Sequence, residues 1–114
     1  MSLTIAVRES GEVAIVTVAG RVVIGEASER LHEALRGLIE QGQSNLVVNL
    51  EEVPQIDSSG ISVLVRNSIS LSREGGSLRL ICGPGRVRDA LEVTRLIEAI
   101  PTFNNEAAAL ASFA

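Results

Sequence analysis

Tryptophan and tyrosine do not occur in this 114-residue sequence, and phenylalanine occurs twice. The core must therefore be built from aliphatic side chains, and the aromatic platforms on which single-stranded nucleic acid stacks are missing. There is no cationic surplus either: ten basic residues stand against fourteen acidic ones, a formal net charge of −4. Phosphate neutralisation needs clustered Lys and Arg, so the balance argues against a nucleic-acid binder. One histidine, His32, and one cysteine, Cys82, are too few for a metal site, and a lone cysteine cannot close an internal disulfide. That usage fits a reducing compartment. No apolar run reaches the ~18 residues of a membrane span. The opening Met1-Ser2-Leu3-Thr4-Ile5-Ala6-Val7-Arg8 lacks a basic stretch leading into a long apolar one. The expectation is a soluble, cytoplasmic chain with no membrane span.

What is present is aliphatic. Apolar residues make up 46% of the chain with no break in composition, which predicts one domain over residues 1–114 with a single core. Leu3 to Arg8 and Val13 to Ala19 are rich in β-branched residues and joined at Ser10-Gly11-Glu12, the pattern of an antiparallel hairpin. Gly20 closes the second strand. The connection Arg21-Val22-Val23-Ile24-Gly25 carries three consecutive apolar residues, unusual for a solvated loop, so some of them are expected against the core or a partner. From Glu26 to Gln41, Ala27, Leu31, Ala34, Leu35 and Leu38 recur at helical spacing, and Gly42 supplies a left-handed C-cap. Leu46 to Leu50 reads as a strand buried on both faces, hence central. A second helix is predicted from Ser58 to about Glu74, ended by Gly75-Gly76, with Ile61, Leu64, Val65, Ser68 and either Leu71 or Ser72 inward. Val63 and Ile69 are left over as an exposed apolar flank. Ser77 to Cys82 reads as another buried strand, Arg86 to Val93 as a helix, Ile100 to Phe103 as a short edge strand and Asn105 to Ala111 as a small helix.

The stretch Gln55-Ile56-Asp57-Ser58-Ser59-Gly60-Ile61 interrupts this alternation with two hydroxyls and a carboxylate. An apolar residue just before an N-cap packs on the fourth helical residue, and Ile56 with Ile61 satisfies that rule only if Asp57 is the cap. Ser58 is then the first helical residue. Strands alternating with helices after a hairpin imply right-handed crossovers and a mixed, largely parallel α/β sheet. Binding sites in such sheets gather at strand carboxyl ends. The connections at Gly20 to Gly25, Glu51 to Ser58 and Cys82 to Gly85 should share that edge.

The run Asn49-Leu50-Glu51-Glu52-Val53-Pro54-Gln55-Ile56-Asp57-Ser58-Ser59-Gly60-Ile61, after Val47-Val48 and before a helix ending in Gly75-Gly76, resembles the signature of STAS domains. It is most similar to the bacterial anti-sigma-factor antagonists, and the resemblance extends to Gly20, Phe103 and the Ala107-to-Leu110 pattern. The resemblance implies a STAS-like mixed sheet of four to five strands with about four helices, no enzyme activity and no cofactor. It further implies that a partner anti-sigma serine kinase, bringing its own ATP and Mg²⁺, phosphorylates the first serine after the aspartate. Only the unphosphorylated form would bind that kinase and displace the sigma factor. By position the acceptor is Ser58, with Asp57, Ser59 and Gly60 completing the motif and Ile61, Arg21, Val23 and Val63 as further partner-binding candidates. The family's Gly-Glu-Leu-Asp after the second strand is replaced by Gly20-Arg21-Val22-Val23, so its acidic pair becomes Arg21 and Val23. Ile61-Ser62 replaces the common Leu-Gly. A monomer or weak dimer is expected.

A phosphate at a helix N-terminus adds about −1.5 to −2 charges, and the dipole and free N–H groups there offset part of its repulsion with Asp57 and Glu52. The switch is therefore expected to act on the docking surface and not by unfolding, with Arg21 able to steady the phosphate. Two other readings remain. One is a STAS accessory or scaffold subunit of a transport or signalling complex, using the same surface without phosphorylation. The other is a small serine hydrolase, disfavoured because the flanks are not Gly-x-Ser-x-Gly and His32 falls mid-helix. His32 reads as a solvated helix residue, Cys82 as a small buried hydrophobe, and Gly83-Pro84-Gly85 as a turn without the Lys-Ser/Thr of a phosphate-binding loop.

Overall fold

A computed structural model describes residues 3–113. Strands β1 (Thr4–Ser10) and β2 (Val13–Ala19) form an antiparallel hairpin. They are followed by helix α1 (Glu26–Glu40), strand β3 (Asn45–Glu52), helix α2 (Ser58–Arg73) and strand β4 (Ser77–Ile81). The chain continues through helices α3 (Arg86–Val93) and α4 (Leu96–Ala99), strand β5 (Thr102–Phe103) and helix α5 (Glu106–Ala111). The five strands lie in the order β1-β2-β3-β4-β5, antiparallel only at the hairpin. Val13, Asn45 and Ser77 are in register, so β2, β3 and β4 start at one end of the sheet and finish together at the other.

The sheet is covered on both faces. Ala14, Val16, Val18, Leu46, Val48, Leu50, Leu78 and Leu80 pack with Leu31 and Leu35 of α1, Leu64 and Leu71 of α2, and Leu91 of α3. The alternate residues Val13, Ile15, Val47 and Ile81 face Ala109 of α5, with Phe103, Leu110 and Phe113 around them. Burial of both pleats makes β2 and β3 near-continuous apolar runs, as a parallel sheet requires. Truncating one of these leucines to alanine typically costs about 2–5 kcal/mol.

Two expectations change. Helix α4 is a fifth helix, one turn long, set off from α3 by Thr94 and by Arg95 in the left-handed region at φ 61°. No glycine or proline marks that break. The inward face of α2 is rotated: Gly60, Val63, Leu64, Asn67 and Leu71 are buried, whereas Ser68 is only half-buried and Ser72 is exposed.

Candidate functional site

At the carboxyl ends of the strands, the β2–α1 and β3–α2 connections are laced together by their backbones. Gly20 N–H donates to the Glu52 carbonyl (3.1 Å), Val22 N–H to Gln55 (2.9 Å), and Asp57 N–H back to Val22 (3.2 Å). Val22 and Ile56 thus make a single rung of parallel bridge beyond the named strands. Both side chains are buried. The first turn of α2 rests on this rung at Gly60, where a Cβ would stand 2.7 Å from Cγ1 of Ile56 and of Val22 and 2.9 Å from the Val22 carbonyl oxygen. Only glycine allows that approach.

Asp57 caps α2, as the Ile56–Ile61 spacing predicts. Its Oδ1 accepts from the Ser59 N–H (2.9 Å), the Gly60 N–H (3.3 Å) and the Ser59 hydroxyl, while Oδ2 accepts from the Ile24 N–H at 2.8 Å. One carboxylate therefore fixes both the helix tip and the preceding loop. Desolvation pushes this carboxyl upward, but bonds from the Ser59 hydroxyl and the Ile24, Gly60 and Ser59 N–H groups together outweigh it and hold the pKa below its ordinary 3.8. Ser58 follows as the first helical residue, exposed, and among the described residues its hydroxyl makes no hydrogen bond. The arrangement is an accessible hydroxyl oxygen on a rigid mount, beside a carboxylate both of whose oxygens accept hydrogen bonds.

The other sequence candidates divide. Arg21 is exposed and Val23 and Ile61 are half-buried, all near the tip. Gly60 and Val63, expected on the partner-facing surface, are buried: Gly60 under the Val22–Ile56 rung and Val63, only 2% exposed, in the core. No apolar patch runs from Ile61 through Val63 to Ile69, although Ile69 itself is exposed. Ile24, not among the partner-binding candidates, is 81% exposed. The three consecutive apolar residues were the available signal, and the structure turns Val22 in and Ile24 out.

His32 is not simply solvated. Its Nδ1 lies 3.0 Å from Nδ2 of the buried Asn67, which also donates to the Val63 carbonyl at 2.8 Å. The Val63 carbonyl requires the amide nitrogen on that side, so His32 Nδ1 is an acceptor and Nε2 carries the proton. Ser59 and Ser62 share with His32 a groove of about 410 Å³ between α1 and α2. A serine nucleophile of the usual kind needs the reverse tautomer, with Nδ1–H donating to an orienting acceptor and the Nε2 lone pair free to take the hydroxyl proton. The geometry here does not build a Ser–His dyad.

Cys82, the residue after β4, lines a separate cavity of about 260 Å³ with Leu50, Val53 and Val87. Burial pushes its thiol upward, against the lowering influence of Arg88 and with Glu51 adding to the rise, so it behaves as a hydrophobe. Among the described residues no group of three or more His, Cys, Asp or Glu side chains is placed to hold a metal ion. Among the same residues no helix is long and apolar enough to cross a membrane.

A mixed sheet carrying an Asp-Ser-Ser-Gly helix tip at its strand ends defines a class, and comparison with known proteins identifies it. The STAS domain model matches residues 4–109, and the chain belongs to that family. Among solved structures, an anti-sigma factor antagonist from Mycobacterium paratuberculosis superposes with a TM-score of 0.87 at 22% identity, covering 97% of this chain and 93% of that one. The Bacillus cell fate determinant SpoIIAA in its phosphorylated form gives 0.74 at 18% identity, covering 97% and 100%. A sulfate transporter family protein from Wolinella succinogenes gives 0.75 at 28% identity, covering 89% and 84%. No curated protein sequence matches significantly.

Proposed function

We propose that this chain is a phosphorylation-switched anti-sigma-factor antagonist. In its unphosphorylated form it binds an anti-sigma serine kinase, and phosphorylation of Ser58 switches it off. The observation that carries the reading is the exposed, unengaged Ser58 hydroxyl on a helix tip held from both sides by Asp57. Likeness in fold to anti-sigma factor antagonists supports it.

In the transfer, Ser58 Oγ forms a bond to the γ-phosphorus of ATP. The bond from that phosphorus to the bridging oxygen breaks and ADP leaves. The hydroxyl proton passes to a base on the kinase, because Asp57 is a weak base whose oxygens are committed to four hydrogen bonds. The kinase supplies ATP and Mg²⁺; this chain supplies the hydroxyl and its orientation. The phosphate then meets the positive end of α2, and Arg21, exposed on the neighbouring loop, is available to steady it, so the helix persists while charge and bulk block the partner.

The test is incubation with the anti-sigma kinase and ATP, followed by intact-mass measurement. Wild type gains one phosphoryl group and Ser58→Ala gains none; an unshifted wild type refutes the switch. Circular dichroism of the phosphorylated form should keep its helical signal, and a large loss refutes a surface mechanism. The likeness to a sulfate transporter family protein favours a second reading, an accessory subunit using the same surface without phosphorylation. In that case Ser58→Ala and wild type bind the transport complex alike.

A further inference from the structure

Four large apolar side chains stand exposed among the described residues: Val7, Ile24, Ile69 and Val93. Ile24 differs from the rest in how it is held. Its own N–H donates to Asp57 Oδ2 at 2.8 Å. The residue two places before it, Val22, is fully buried and bonded through both its N–H and its carbonyl. Immediately before it, the Val23 carbonyl accepts from Ser28 N–H at 3.2 Å, and immediately after it the Gly25 carbonyl accepts from Glu29 N–H at 3.1 Å. An isoleucine 81% exposed to water is thus fixed on a loop whose backbone is immobilised at nearly every residue.

The same carboxylate positions Ile24 and Ser58, one oxygen for the loop and one for the helix tip. A protein that brings an ATP γ-phosphate in line with Ser58 Oγ approaches the residue beside Asp57, the same residue that holds the Ile24 N–H. We infer that Ile24 is the anchor by which the partner kinase recognises this chain, seating in an apolar socket beside that kinase's nucleotide site. This rests on the reading of Ser58 as phosphoacceptor and goes beyond it by naming what selects the partner. An apolar side chain carried on an already ordered backbone spares the cost of ordering the loop on docking, which concentrates binding energy in few residues. Arg21, exposed and in no ion pair among the described residues, asks for an acidic residue on the rim of the socket.

The test is steady-state phosphorylation of the full chain by the anti-sigma serine kinases of its own genome, comparing wild type, Ile24→Ser, Ile24→Val and Val93→Ser. Val93 is 84% exposed but at the far end of α3, so it controls for loss of any exposed apolar group. Ile24→Ser is expected to raise KM roughly tenfold to a hundredfold, the range that burying an isoleucine side chain implies, with kcat and melting temperature unchanged. Ile24→Val should retain most of the affinity and Val93→Ser all of it. A phosphorylated wild type with an unchanged KM in Ile24→Ser overturns this inference alone. A wild type that none of these kinases phosphorylates overturns the functional reading and this inference with it.

Discussion

Replacing Gly60 by alanine is expected to destabilise the protein, against the usual behaviour of that change in a helix. Alanine is favoured over glycine by about 0.8–1 kcal/mol in a helix interior. Here the added methyl meets Cγ1 of Val22 and Ile56 at 2.7 Å and the Val22 carbonyl oxygen at 2.9 Å. The two side chains are at most 8% exposed and have nowhere to rotate. The carbonyl is tied to Asp57 N–H at 3.2 Å. Overpacking of that kind costs about 1–3 kcal/mol, and the rigid backbone contact places this case toward the upper end. The difference is a net loss of about 1–2 kcal/mol. Gly37 of α1 supplies the internal comparison, since nothing lies within 4 Å of its added methyl. Gly37→Ala should therefore stabilise by about 0.5–1 kcal/mol. Urea unfolding of the two variants and wild type measures both numbers through the shift in midpoint at constant m-value. Opposite signs are the expected result. A Gly60→Ala protein as stable as wild type would refute the close packing of the helix tip on the Val22–Ile56 rung.

Three other outcomes follow from the same geometry. Asp57→Ala should cost about 1–2 kcal/mol by removing the cap. Because folding lowers the Asp57 pKa, the ionised form is the stabilised one: the wild-type advantage is full above the unfolded value near 3.8 and fades as pH falls through the lower folded value, which urea melts across acidic pH will track. Asn67→Asp, nearly isosteric, sets a carboxylate oxygen where Nδ2 now lies 2.8 Å from the Val63 carbonyl, and should cost roughly 3 kcal/mol or more in thermal or chemical unfolding. Gly76→Ala brings a methyl to 2.2 Å from the Ser44 carbonyl oxygen, which also accepts from Ser77 N–H, so loss of soluble protein or a fall of about 3 kcal/mol or more is expected in expression and melting assays.

The elements most legible in the sequence are those where local chemistry and burial agree. The Leu46–Leu50 run is doubly buried at the centre of the sheet, and α3 has the same bounds as its predicted segment. Asp57 caps α2 because only that placement lets Ile56 and Ile61 act as a staple. What sequence alone did not reveal depends on partners distant along the chain. Asn67 is buried because His32 and the Val63 carbonyl satisfy its amide, a fact invisible to hydropathy, and it carries Val63 inward with it. Gly60 looks like a motif residue, whereas its neighbours Val22 and Ile56 show it as a contact that admits no side chain. In Arg21-Val22-Val23-Ile24 the composition marks an unusual loop, but which apolar residue faces water was settled by the rung with Ile56.

The alignment of Val13, Asn45 and Ser77 at the start of three strands puts the hairpin turn at the end of the sheet opposite Ser58. The seven residues of β2, at about 3.3 Å each, separate the two ends by roughly 20 Å. Gly11 and Glu12 are exposed there, and nothing lies within 4 Å of a Cβ built on Gly11. A fluorophore or surface tether attached at this turn would hold the molecule with its serine-bearing tip pointing outward. Association with a partner becomes measurable in real time from a handle that the partner does not touch.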